Sequence, residues 1–237
     1  MTNPDRGRRL APLALSQNAH RQLIGYLGLV LPFLLYLLAG FRHTDDLPDW
    51  APLPSVSSYY YTGAVAVFTG VIGALSLFLF TYRGYQGVAA DRVVGSLGGA
   101  GAVGVILFPT TSPSPSLTPP WWGGWMAVVH YSCGTALFAS FILFAIWLFR
   151  ESEFAKRSAR PPDKRWRDDV CLWCGMTMIT AIAWAGWAGW HGGSIFYQES
   201  VAIEAFAISW LVKGEAHQSL ARAARRLWSG PGSGISG

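Results

Sequence analysis

The sequence predicts an all-α fold: a polytopic membrane protein built as a six-transmembrane-helix bundle with both termini cytoplasmic. Three observations carry that expectation. Hydrophobic residues make up 51% of the 237 residues and charged residues only 13%, where soluble domains run nearer to about 25% charged. Six apolar stretches follow one another, each close to the roughly 20 residues that a helix needs to cross about 30 Å of hydrocarbon. Lysine and arginine then fall on one side of the topology those stretches define. Of 18 in total, all but Arg42 lie toward the N-terminus, in 83–92, in 150–169 or toward the C-terminus, and such loops face the cytoplasm.

The N-terminal segment, 1–20, is polar and basic (Arg6, Arg8, Arg9) and leads into a transmembrane domain over 21–215. Helix one is expected over 21–41. Its apolar run ends in Arg42-His43-Thr44-Asp45-Asp46 with no A-x-A-like exit, so it reads as a retained span and not as a signal peptide. A polar loop with Asp45, Asp46, Asp49, Pro48, Pro52 and Pro54 precedes helix two, 60–82, which ends at Tyr82-Arg83-Gly84-Tyr85. Asp91-Arg92 opens helix three, 92–108, where Gly95, Gly98, Gly99, Gly101 and Gly104 form small-residue faces that a neighbour can approach closely. A nucleotide loop would need a lysine and a soluble strand before it, and neither is there.

Prolines 109, 113, 115, 119 and 120 cannot continue that helix. They mark a loop closed by Trp121-Trp122, which read as interface anchors. Helix four follows over 125–149, then a charged aqueous segment over 150–169, and helix five over 170–190. A turn at His191-Gly192-Gly193 leads to helix six, 197–213. The remainder, 216–237, is basic (Arg222, Arg225, Arg226) with a Gly/Ser-rich end, and is expected to be a cytoplasmic, partly disordered tail. No soluble domain and no internal repeat is evident. The formal charge of +5 would suit a nucleic-acid binder, but its distribution follows membrane orientation, so nucleic acid is not an expected partner.

Cys171 and Cys174 form a lone CxxC at the start of an apolar run. A zinc site needs four ligands and a thioredoxin-like site a βαβ context; without either, they read as two small apolar residues one turn apart. No cofactor and no metal site are expected.

His130 and Glu204 are the residues least at home in hydrocarbon. An ionisable side chain at a helix centre costs roughly 2.5–3.5 kcal/mol on insertion scales and so faces the bundle interior, with a partner or a task. Helices four and six both enter from the outer face. His130 and Glu204 then sit at similar depth, roughly 8–10 Å below the outer helix ends, where they are expected to pair. Helix two begins on the same face with Ser55-Val56-Ser57-Ser58-Tyr59-Tyr60-Tyr61, and His43, His191 and Glu199 lie at outer helix ends.

The expectation is a polar pocket toward the outer leaflet built on Ser57, His130 and Glu204. Ser58, Tyr59, Tyr61, Tyr131, His191 and Glu199 are expected as lipid- or ligand-binding residues around it. Such a pocket suits a lipid or small amphiphile. The same trio also suits a nucleophile, base and orienter for acyl transfer or hydrolysis, although no nucleophile-elbow sequence is present. A structural His–Glu clasp joining helices four and six stands beside these readings, as does a transporter or accessory subunit. A metal site over His43, His130, His191 and Glu204 lacks any HxxxH or HExxH spacing. Membrane lipids are the expected partners, and the glycine faces leave homo-oligomerisation open.

The order of the motifs resembles the FRAG/DRAM/Sfk group of six-span membrane proteins and a related bacterial family of unknown function, over roughly residues 20–215. The matching pieces begin with Pro54-Ser55-Val56-Ser57, Tyr82-Arg83 and the glycine-rich third helix. His130-Tyr131-Ser132-Cys133-Gly134, Cys174-Gly175 and Glu204-Ala205-Phe206-Ala207-Ile208-Ser209 complete them. The chain departs from the eukaryotic members after the Ser, where they tend to carry an acidic residue and this chain has Ser58-Tyr59. The resemblance implies that Ser57, His130 and Glu204 belong to one site, and a role in lipid remodelling, lipid distribution or membrane stress.

Overall fold

A computed structural model of the chain describes residues 4–40, 51–82, 89–151 and 160–216, with the side chains of 4–16 and 40 left aside. Arg42, His43, Asp45, Asp46, Asp49 and Arg83 lie outside the described residues, as do His217 and the tail arginines. The described residues are helical, with no strand: α1 Pro4–Gly40, α2 Val65–Thr81, α3 Ala89–Leu107, α4 Gly124–Ile146, α5 Pro162–Trp190 and α6 Phe196–Lys213. Three 3-10 turns join them, Val56–Tyr61, Pro115–Leu117 and Leu148–Arg150.

Four of these segments are long and apolar enough to cross a membrane: Gln17–Ala39, Ala89–Leu107, Gly124–Arg150 and Pro162–Trp190. Helix α2 is apolar but has 17 residues, and α6 carries Glu199, Glu204 and Lys213 in its 18. Consecutive helices pack on each other from α1 to α6, and α6 returns to α1 to close the ring.

The burial pattern is that of a bundle in an apolar solvent. The interior is made of Leu, Phe, Ala and Gly, yet the outward faces are apolar too. On α5, Trp173, Trp184, Trp187 and Trp190 are 61–86% exposed. Contiguous apolar surface of that kind has no place in water and marks a membrane-facing side.

Helix α6 inverts the usual relation of composition to burial. It carries two glutamates and a lysine, yet most of its residues are buried against α1, α4 and α5. Its core side is a stack of aromatic rings. Phe206 lies on Phe141 of α4 with centroids 3.6 Å apart, and Trp210, fully buried, meets Tyr82, Phe144 and Phe149 edge-on. Such pairs add about 0.5–1.5 kcal/mol each beyond their area.

The glycines of α3 are used within the bundle, on two different sides. A Cβ at Gly95 or Gly99 would strike the Leu79 carbonyl or the Phe80 ring of α2. One at Gly98, Gly101 or Gly104 would strike Ser140, Leu137 or Cys133 of α4. Close helix contact of this kind is what drives association without a hydrophobic effect.

Three boundaries differ from the sequence expectation. The segment 4–20 continues α1 as helix, with Pro4 in its first turn, where proline is tolerated, and Pro12 within it. Helix α5 starts at Pro162, a position that suits proline, so the charged segment over 150–169 is partly helical. The expected start of helix two at 60 falls in a separate 3-10 turn, because Ser55 caps that turn and Thr62 breaks it from α2. Cys171 and Cys174 are buried core residues, as small apolar side chains would be.

Candidate functional site

The turn Val56–Tyr61 is held from both ends. Pro54 sets an extended approach, and Ser55, with φ −150° and ψ 162°, accepts the Ser58 amide on its hydroxyl at 3.1 Å. The Ser55 and Ser58 hydroxyls also bond each other at 2.7 Å. The turn's first amide, on Val56, donates to Glu199 Oε2 at 2.7 Å. The Pro54 carbonyl accepts from the Ile195 amide at 2.7 Å and the Ser194 hydroxyl at 3.2 Å. A loop before α2 is thus fastened to the entrance of α6.

This fixes Ser57 over His130 of α4. The Ser57 hydroxyl lies 2.9 Å from His130 Nε2, and Nδ1 lies 2.7 Å from the Phe108 carbonyl oxygen. That carbonyl closes α3 just before Pro109, where a helix leaves its last carbonyls without partners. A carbonyl has only lone pairs, so Nδ1 carries the proton and donates. In the neutral ring Nε2 is then an acceptor, and the Ser57 hydroxyl donates to it. The pair has the arrangement of a nucleophile on its base, with a backbone carbonyl fixing the tautomer in the place where a carboxylate often stands. His130 is 5% exposed, and Tyr131 meets it edge-on at 5.9 Å.

Two tyrosines brace the same corner through Thr110. The Tyr61 hydroxyl donates to the Thr110 carbonyl at 2.5 Å, and the Thr110 hydroxyl donates to that of Tyr131 at 3.2 Å.

Glu204 is elsewhere. No hydrogen bond or ion pair joins it to His130, both of whose ring nitrogens are engaged. The expected His–Glu pair is therefore not formed. Equal depth on two helices does not set the direction in which each side chain leaves its axis. Glu204 instead lines a cavity of about 840 Å³ between α1, α5 and α6. Its walls include Pro32 and Tyr36 of α1, Trp173 and Thr177 of α5, and Tyr197 and Ile208 of α6. Glu204 Oε1 is buried there with no hydrogen-bond partner among the described residues.

The remaining expected residues divide between the two places and neither. Ser58 and Tyr59 are core, 3% and 1% exposed, with Tyr59 packed on Phe196. Tyr131 stands beside His130, and Tyr61 is tied to Tyr131 through Thr110. Glu199 holds the Val56 amide and so positions the Ser57 turn. His191 is exposed at the end of α5, packed on Trp187 with its Nδ1 on that residue's carbonyl at 2.8 Å, and joins neither place.

Sequence reasoning missed the Phe108 carbonyl, which the following Pro109 signals, and Thr110. It also missed the groove walls Tyr36, Trp173 and Thr177, for which no signal exists in one chain. Among the described residues no three His, Cys, Asp or Glu side chains come together as a ligand set.

Against known proteins, no family model, no curated protein sequence and no solved structure matches the chain.

Proposed function

We propose that the chain is a six-span membrane protein, both termini cytoplasmic, that holds a lipid or small amphiphile in the groove around Glu204. The observation that carries this is the cavity itself: about 840 Å³, walled by apolar and aromatic side chains, with one carboxylate oxygen inside that no described residue bonds. Ligand sites have this form, a volume of about 300–1,000 Å³ and a few polar groups. An unsatisfied polar group in hydrocarbon is expensive unless something supplies its partner. Pro52, Phe196 and Tyr197 line the outer end of the groove, and the lysine and arginine distribution turns that end away from the cytoplasm. The ordered motifs that resemble the FRAG/DRAM/Sfk group support the same reading, since roles proposed for that group concern lipids.

The test is native mass spectrometry with lipid extraction on detergent-purified protein. Wild type should retain a specific lipid or amphiphile. Thr177→Trp, which fills the groove from an exposed position on α5, should lose it without loss of fold. Equal lipid content in the two would sink the proposal.

A second reading, acyl transfer or ester hydrolysis, is favoured by the Ser57–His130 bond. Ser57 would attack an ester carbonyl as its proton passes to His130 Nε2, the ring being held by Nδ1 on the Phe108 carbonyl; that proton would then pass to the departing alkoxide as the ester C–O bond breaks, leaving the acyl group on Ser57 for transfer to water or a second alcohol. A fluorophosphonate probe should label wild type and not Ser57→Ala. No labelling of the wild type would remove this reading.

A further inference from the structure

Among the described residues, the groove is lined by one carboxylate, that of Glu204, and by no lysine, arginine or histidine. The nearest cation on the same helix, Lys213, is nine residues on, roughly 13 Å along the axis, and its ammonium donates to the Phe149 carbonyl at 3.0 Å. Nor does the nearest hydroxyl on α6 serve Glu204, because Ser200 donates to the Phe196 carbonyl at 2.7 Å. Among the described residues Oε1 has no donor, and the groove that Glu204 lines is walled also by the aromatic side chains of Phe33, Tyr36, Trp173, Phe196 and Tyr197.

A carboxylate in an aromatic-walled cavity is complementary to a cation. A cation restores the missing electrostatic partner and gains further from ring faces, most when it is weakly hydrated, as a quaternary or alkylated amine is. A phosphate or carboxylate head would meet like charge with nothing to neutralise it. Depth narrows the class again. Glu204 is eight residues into α6 from Phe196, roughly 12 Å below the outer helix end. A zwitterionic phospholipid with its phosphate at the interface would not place its ammonium there without burying that phosphate as well.

Resting on the groove reading of the proposed function, we infer that the groove's occupant is a cationic amphiphile, an amine or quaternary ammonium compound without a phosphate, whose charge is held by Glu204. It enters sideways between α1 and α5, where Phe33 and Trp173 are 62% and 71% exposed.

The experiment is equilibrium dialysis of the full chain in non-ionic detergent with three probes of similar size: tetraphenylphosphonium, tetraphenylborate and triphenylmethanol. Wild type should bind the phosphonium tighter than the borate by about tenfold or more, a factor within reach of one buried charge contact. Glu204→Gln, which keeps shape and removes charge, should erase that preference while keeping residual binding. Thr177→Trp should weaken all three. If the borate or the alcohol binds wild type as tightly as the phosphonium, the inference is overturned and the groove stands as a site of other selectivity. If no probe binds and no lipid co-purifies, the groove reading falls and the inference with it. If Glu204→Gln does not fold, the wild-type probe ranking alone decides.

Discussion

The separation of Glu204 from His130 is open to a double-mutant cycle. Ser57→Ala removes the donor on His130 Nε2 and leaves a buried acceptor unsatisfied in a site 5% exposed, which costs about 1–3 kcal/mol. His130→Ala removes the same bond, strands the Phe108 carbonyl and empties the ring's volume, so its cost is larger, about 2–5 kcal/mol. The Ser57–His130 bond is lost only once in the double variant. The two costs should therefore fall short of additivity by about 1 kcal/mol. For a chain of this size that is about 2–4 °C of Tm, measurable from intrinsic tryptophan fluorescence of protein in detergent. The matched cycle of His130→Ala with Glu204→Ala should be additive within about 0.5 kcal/mol, because no bond joins the two residues. A coupling of 1 kcal/mol or more between His130 and Glu204, with Ser57 and His130 additive, would restore the His–Glu clasp and refute the geometry.

Two further perturbations probe the scaffold. Gly101→Ala places a Cβ 2.7 Å from the Cys133 carbonyl oxygen; backbone cannot move aside cheaply, so it should lower stability by about 1–3 kcal/mol. Gly70→Ala, with nothing within 4 Å of its Cβ, should be neutral or stabilising by up to about 1 kcal/mol, and thermal melts of the two side by side would expose a wrong α3–α4 packing if they matched. Glu199→Ala should free the Val56 amide from its 2.7 Å bond and speed hydrogen exchange across the Val56–Tyr61 turn, whereas Glu199→Gln, which keeps an acceptor, should largely preserve protection. Equal exchange in both variants and wild type would mean that Glu199 does not hold the turn.

The helices were legible because their signals are long and redundant. Proline clusters and the ends of the apolar runs set most boundaries within a few residues, whereas the polar, charged starts of α1 and α5, at Pro4 and Pro162, lie well before the apolar runs begin. The glycine faces of α3 were legible too, though only the fold shows that Gly95 and Gly99 serve α2 while Gly101 and Gly104 serve α4. The site was half legible. Ser57 and His130 announced themselves as polar residues at the outer ends of two apolar helices, and depth along the axis brings them level. Azimuth is different, since it depends on which neighbour each helix chooses. Glu199 and Glu204 illustrate this: five residues apart, they leave α6 about 140° from each other, one toward the Ser57 turn and the other into the groove. The acceptor that orients His130 is a backbone carbonyl, which no residue type names.

The two places are nonetheless separated by one thin wall. Phe196 lines the groove and packs on Tyr59 at 5.6 Å. Pro52 lines it as well, and the next amide, on Leu53, reaches the Tyr59 hydroxyl at 3.5 Å. Tyr59 belongs to the same 3-10 turn as Ser57, two residues on, and that turn is fastened to α6 by Glu199. An occupant that pushes on Phe196 or shifts α6 within the ring therefore bears on the turn that places the Ser57 hydroxyl against His130. Coupling between sites needs a shared element with more than one arrangement, and the Val56–Tyr61 turn is the element the two sites share. Its capping bonds from Ser55 and Glu199 set how firmly it is held, so loosening them should change the Ser57–His130 contact and groove occupancy together, whereas a purely local role for either bond would change one alone.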